Sequence, residues 1–119
     1  MISRAHRFHG HGSLRYVYTR GQVVRGQFAV LKYIRNPKRR SWRAAVVVSR
    51  KVHKSAVTRN RILRRLYEIV RLSMPDDAPA YDLVFIVHAE SVATMPADEL
   101  RQAIATQLKK AGIATKPMV

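Results

Sequence analysis

The segment Ser49-Arg50-Lys51-Val52-His53-Lys54-Ser55-Ala56-Val57-Thr58-Arg59-Asn60-Arg61-Ile62-Leu63-Arg64-Arg65 carries the densest chemical signal in the chain. Arginine presents a planar fork that grips a phosphate through two hydrogen bonds, lysine supplies a point charge, and Asn60 can donate and accept at a sugar or base edge. His53 and Ser55 suit phosphate contact or helix capping better than catalysis, because no carboxylate is placed to orient them. A charge run is often only a solvated face. Here Glu68 alone is near enough to balance the cations. The residues that make this a surface for a polyphosphate backbone, RNA or DNA, are Arg50, Lys51, His53, Lys54, Arg59, Asn60, Arg61, Arg64 and Arg65.

Other combinations of reactive residues fail on spacing. His6, His9 and His11 lie close together, but glycines surround them and no further ligand follows at a metal-site interval; contact of a polar tail with RNA suits them better. Asp76, Asp77 and Asp82 follow a helical segment beside two prolines and read as a turn, not a two-metal nuclease site. With no cysteine there is no disulfide, thiolate ligand or thiol nucleophile. The protein is expected to bind no metal or other cofactor of its own.

Lys and Arg number 23 against 7 Asp and Glu, for a formal charge of +16. Self-repulsion of that size calls for a polyanionic partner. A membrane surface is the competing polyanion, but no apolar run approaches the roughly 20 residues that span a bilayer, and Met1 to Arg7 lacks a signal-peptide stretch. The expected address is the cytoplasm. A hydrophobic content of 47% in 119 residues fits one folded domain over 1–119.

Positioning the basic segment requires a strand before it and a helix beneath it. Ala44-Ala45-Val46-Val47-Val48 is a continuous apolar run that reads as a buried central strand. From Ala56 to Ser73 the period becomes helical, with Ile62, Leu66, Ile69 and Val70 on one face, broadened by Leu63 and Tyr67. Met74 to Pro79 stops this helix, and Tyr81 to Val87 is a second buried strand. Upstream, Ser13 is placed to cap a helix from Leu14 to Arg20 that ends at Gly21, and Phe28 to Ile34 reads as a strand. The basic turn Asn36-Pro37-Lys38-Arg39-Arg40 then predicts a hairpin to the strand at 44–48, with Trp42 at its start either packed at the sheet edge or stacking on a base. Pro96-Ala97-Asp98-Glu99 opens a last helix that closes near Lys109-Lys110. Residues 1–12 and 113–119 are expected to be flexible. The result is an α/β (α+β) two-layer sandwich.

Arg59-Asn60-Arg61, in the context Val46-Val47-Val48-Ser49-Arg50-Lys51 before it and Ile62-Leu63-Arg64-Arg65-Leu66 after it, resembles the bacterial ribonuclease P protein family. That family carries Arg-Asn-Arg early in a helix, after a strand ending in a small residue and two cations. Leu14 to Gly21, Phe28 to Ile34 and Tyr81 to Ala89 are similar to its first helix and to its first and fourth strands, so that about four-fifths of the chain is covered.

The resemblance implies the order α-β-β-β-α-β-α, a central four-stranded sheet with a left-handed strand, helix, strand crossover, and a likeness to the second domain of ribosomal protein S5. It also implies a division of labour. A large RNA performs catalysis with divalent magnesium, and the protein assists removal of the 5′ leader of precursor tRNA without cleaving it. The Arg59-Asn60-Arg61 region would pack on the large RNA, while Leu14, Tyr18, Phe28, Val30 and Tyr67 would line a cleft for the single-stranded leader. Leu14 stands where relatives carry an aromatic residue, and Leu63 and Tyr67 where many carry basic ones, so stacking by Tyr67 would replace charge there. For Leu14 and Tyr18, packing of the helix on the sheet is an equal alternative to leader contact. No membrane and no obligate protein partner is expected. The competing functions are a structural RNA-binding protein of ribosomal type and, more remotely, a protein-only nuclease.

Overall fold

The computed structural model describes residue 6 and residues 11–116. Its elements are α1 (His11–Arg20), β1 (Gln22–Arg25), β2 (Ala29–Arg35), β3 (Arg43–Val47), α2 (Ala56–Ser73), β4 (Tyr81–Val87), a 3-10 turn (Glu90–Ala93) and α3 (Ala97–Lys110). The order is the expected α-β-β-β-α-β-α, and α2 and β4 have the expected bounds. Helix α1 begins at His11, inside the stretch expected to be irregular, so Ser13 lies within the helix and not at its cap. Residues 1–5 and 7–10, including His9, lie outside the described residues.

The four strands form one mixed sheet in the order β1-β2-β4-β3. Strand β2 pairs antiparallel with β1 and β4, and β3 pairs parallel with β4. The predicted hairpin between β2 and β3 is therefore absent, and the chain turns back instead from β1 to β2 through Gly26. The link from Asn36 to Trp42 spans the end of β4. It is anchored there by the Asn36 N–H on the Ala80 carbonyl (2.7 Å) and by the Trp42 indole N–H on the Pro75 carbonyl (3.0 Å). Trp42 is buried as a packing residue, stacked on the His6 ring. Strand β4 takes the centre because Leu83, Val84 and Phe85 are apolar on both faces. Strand β3, expected to be central, lies at the edge and is shielded by helices on its two sides.

One face of the sheet, with Leu31, Ala44, Val46, Leu83 and Phe85, packs against Ile62, Leu66 and Val70 of α2 and Leu100, Ile104 and Leu108 of α3. Their spacing of three and four puts each set on one helical face. Among the described elements the other face carries α1, whose Val17 is buried with Ala45 and Val84. Beyond Lys110 the chain stays docked. Gly112 adopts φ 80°, the N–H groups of Gly112 and Ile113 donate to the Lys109 and Leu108 carbonyls, and Ile113 is buried. The Lys116 N–H donates to the Ser73 carbonyl at 2.8 Å. Residues 113–116 thus make packing and hydrogen-bond contacts with the domain; residues 117–119 lie outside the described ones. No helix among the described residues is long and apolar enough to cross a membrane.

Candidate nucleic-acid interface

Strand β3 delivers the chain into a loop, residues 48–55, that feeds α2. Ser55 caps the helix, its hydroxyl accepting from the Thr58 N–H at 3.4 Å. The His53 Nδ1 accepts the Ser55 N–H at 3.0 Å, and the Arg59 guanidinium reaches back to the carbonyls of His53 (2.9 Å) and Lys54 (2.8 Å). Arg59 thereby fixes the loop that displays Arg50, Lys51 and Lys54, all exposed. On α2 itself Asn60, Arg61 and Arg64 are exposed, and Val57, 76% exposed, stands three and four residues before Asn60 and Arg61 on the same side.

Among the described residues, no carboxylate forms an ion pair with the cations of this surface. Glu68 lies one turn beyond Arg64 but is engaged by Arg71, whose hydrogen bond holds the Glu68 carboxyl below its ordinary range. Among the described residues neither Arg61 nor Arg64 takes part in an ion pair. Arg65 behaves differently. Its guanidinium donates to the Val92 carbonyl at 2.8 Å and to the Met95 carbonyl, tying α2 to the 3-10 turn.

The α1 face of the sheet is a second exposed surface. Strand register places Arg25, Val30, Ile86 and Val47 in one row, and Val23, Lys32, Val84 and Ala45 in the next. Helix α1 crosses this face mainly over β2 and β4, with Val17 buried on Val84 and Ala45 and Leu14 packed on the same cluster. Towards β1 the face is open, with Val23 49% exposed. Tyr18 borders this open part, with the Lys32 ammonium 5.2 Å from the centre of its ring. Partial burial raises the Tyr18 pKa above its ordinary value. The surface so built is apolar, with one aromatic ring and cations at Lys32 and Arg25.

The family model for ribonuclease P matches residues 2–112. The chain belongs to the ribonuclease P protein family. It is 33% identical over 116 residues to the ribonuclease P protein component of Chloroflexus aurantiacus, covering 98% of this chain and 84% of the relative. With the component of Symbiobacterium thermophilum it shares 32% over 112 residues, 94% of this chain and 96% of the relative. The fold is similar to that of a mutant Staphylococcus aureus RNase P protein (TM-score 0.80, 23% identity, 92% of this chain and 91% of the other). It is also similar to the RNase P protein from Thermotoga maritima (TM-score 0.74, 21% identity, 87% and 96%).

In this chain the five residues assigned to a cleft do not come together. Leu14, Tyr18 and Val30 belong to the α1 face. Phe28 packs with the opposite core, and Tyr67 is buried there, its hydroxyl accepting the Val46 N–H at 3.2 Å. Tyr67 is turned away from solvent because α2 presents it to the sheet along with Leu66 and Val70, so stacking by Tyr67 on a leader is not available from this position. Of the residues assigned to the polyphosphate surface, Arg50, Lys51, Lys54, Asn60, Arg61 and Arg64 are exposed, whereas His53, Arg59 and Arg65 are committed to holding the loop and the 3-10 turn. Sequence reasoning missed Lys32 and Arg25. Lys32 had a signal, a lone cation inside the apolar run Phe28 to Ile34; β1, and Arg25 with it, had none. Asp82, suspected of metal chemistry and then discounted, is buried and takes two hydrogen bonds of 2.8 Å from Arg43 and one of 3.1 Å from Asn36. It serves the sheet end, apart from Asp76 and Asp77, which are exposed in the turn.

Proposed function

We propose that this protein is the RNA-binding protein component of ribonuclease P, assisting a catalytic RNA in removing the 5′ leader of precursor tRNA. The observation that carries the reading is the exposed cationic surface of Arg50, Lys51, Lys54, Arg61 and Arg64 around Asn60, without an ion pair among the described residues, on a chain of this family. Such a surface displaces condensed counterions from a phosphate backbone, giving affinity that falls steeply with salt. It reads shape more than sequence, because the deep major groove of A-form RNA is closed to side chains. The large RNA is assigned to this surface, with Arg59 positioning it. The single-stranded leader is assigned to the open sheet face, where Tyr18 offers a ring for stacking and Lys32 and Arg25 offer charge. Bond cleavage, and the divalent magnesium it uses, belong to the RNA.

The test is cleavage of a precursor tRNA by the cognate large RNA at low magnesium, with and without the protein, beside the protein alone. Stimulation of the RNA by an inert protein is expected. No stimulation would favour a structural RNA-binding protein, and cleavage by the protein alone would overturn the division of labour.

A further inference from the structure

A cavity of about 460 Å³ lies between the β1–β2 turn and α3, on the side of the sheet away from α1, and is lined by Arg25, Phe28, Met95, Gln102, Thr106 and Lys110 among others. Its size falls in the range of small-ligand sites. One wall is held rigid by Gln107, which is buried and donates to the carbonyls of Val24 and Ala29, each at 2.9 Å. Gly26 allows this approach: a Cβ there would stand 2.8 Å from the Gln107 side chain. Phe28 and Met95 supply apolar surface, Gln102 and Glu99 supply groups that can pair with a base edge, and two cations face a single carboxylate.

Arg25 decides the occupant. It is the last residue of β1, the edge strand, and lies in the row of Val30 and Ile86 on the open sheet face, yet it also lines the cavity on the other side. The two surfaces therefore meet around the β1 edge, and a flexible polyanion lying on one reaches the other past a guanidinium. We propose that the cavity takes one unstacked nucleotide of the single-stranded RNA held on the open face, its base against Phe28 and Met95 and its phosphate on Arg25 and Lys110. The inference rests on the leader assignment made above and extends it to a nucleotide beyond the sheet.

The experiment measures binding of single-stranded RNA oligomers of roughly four and roughly ten nucleotides, a range typical of single-strand sites, to the full-length protein at fixed salt. Lys110→Glu and Gln102→Ala alter the cavity, Lys109→Glu makes the same charge change on the adjacent exposed residue, and Tyr18→Ala alters the open face. Lys110→Glu is expected to weaken the longer oligomer about tenfold more than Lys109→Glu does, with no such difference for the shorter one, and Gln102→Ala is expected to act in the same direction. Tyr18→Ala should weaken both lengths. Equal effects of Lys110→Glu and Lys109→Glu at both lengths would overturn the cavity as a nucleotide site while leaving the open-face assignment to stand on Tyr18→Ala. A selective loss in Lys110→Glu with no effect of Tyr18→Ala would support the cavity and sink the open-face assignment.

Discussion

Arginines of the same basic segment do opposite jobs, and their surroundings predict opposite phenotypes. Arg61 and Arg64 project from α2 with no ion pair among the described residues, so the double variant Arg61→Ala, Arg64→Ala should keep its thermal stability. It should lower the slope of log affinity for the large RNA against log salt by about 2, because two phosphates would keep their condensed counterions. An unchanged slope would mean that these two residues touch no phosphate. Arg65 instead satisfies the carbonyls of Val92 and Met95. Arg65→Ala should cost about 1–3 kcal/mol in denaturant unfolding, because those acceptors would be left without their donor. Glu68 adds a small pH effect. Its folded pKa is lowered, chiefly by the Arg71 hydrogen bond, so its contribution is present above the unfolded value near about 4.3 and is lost as pH falls through the folded one. The pair is well exposed, and Glu68→Gln should flatten the acid limb of the stability profile by no more than about 0.5 kcal/mol.

At the scale of elements, the ends of the helices decide where the functional surfaces are held. Ser55 starts α2 immediately after the loop that presents Lys51 and Lys54, and Gly112 ends α3 in a left-handed turn that buries Ile113. Ser55→Ala should cost about 1 kcal/mol through an unpaired helix donor. Gly112→Ala should cost a similar amount, about 1 kcal/mol, because its Cβ is strained at positive φ although the surrounding space is open. Chemical denaturation can compare the two, and amide exchange should separate them: the first loosens the start of α2, the second the segment from Ile113 to Lys116. Comparable protection in both variants at both places would refute this local account. The sheet adds a constraint that helices cannot. By placing β4 between β2 and β3, it sends the link from Asn36 to Trp42 to one end of β3 and the basic loop before α2 to the other.

The whole molecule confines a formal charge of +16 within a radius of gyration of 13.3 Å. Repulsion on that scale opposes folding until anions bind. Inorganic phosphate or a short RNA should therefore raise the melting temperature, by about 4 °C for each kcal/mol of linked binding energy. A melting temperature insensitive to both would argue against an anion-binding surface in the folded state. Charge, the helical period of 56–73 and the continuous apolar run at 81–87 depend only on residue type and local spacing, so the sequence by itself determined the basic segment, α2, β4 and the family. Strand neighbours do not follow from local pattern, because pairing is settled by which apolar strand must be covered on both faces. Hence the β2–β3 hairpin was expected, the four residues of β1 were not delimited, and Phe28 was assigned to the wrong side of the sheet. Only the tertiary structure decided that Tyr67 is core, that Arg59 and Arg65 hold carbonyls while Arg61 and Arg64 face solvent, and that Arg25 joins two surfaces. The reason is the same in each case: a side chain's role depends on which partners from distant segments reach it, and those partners are set by packing.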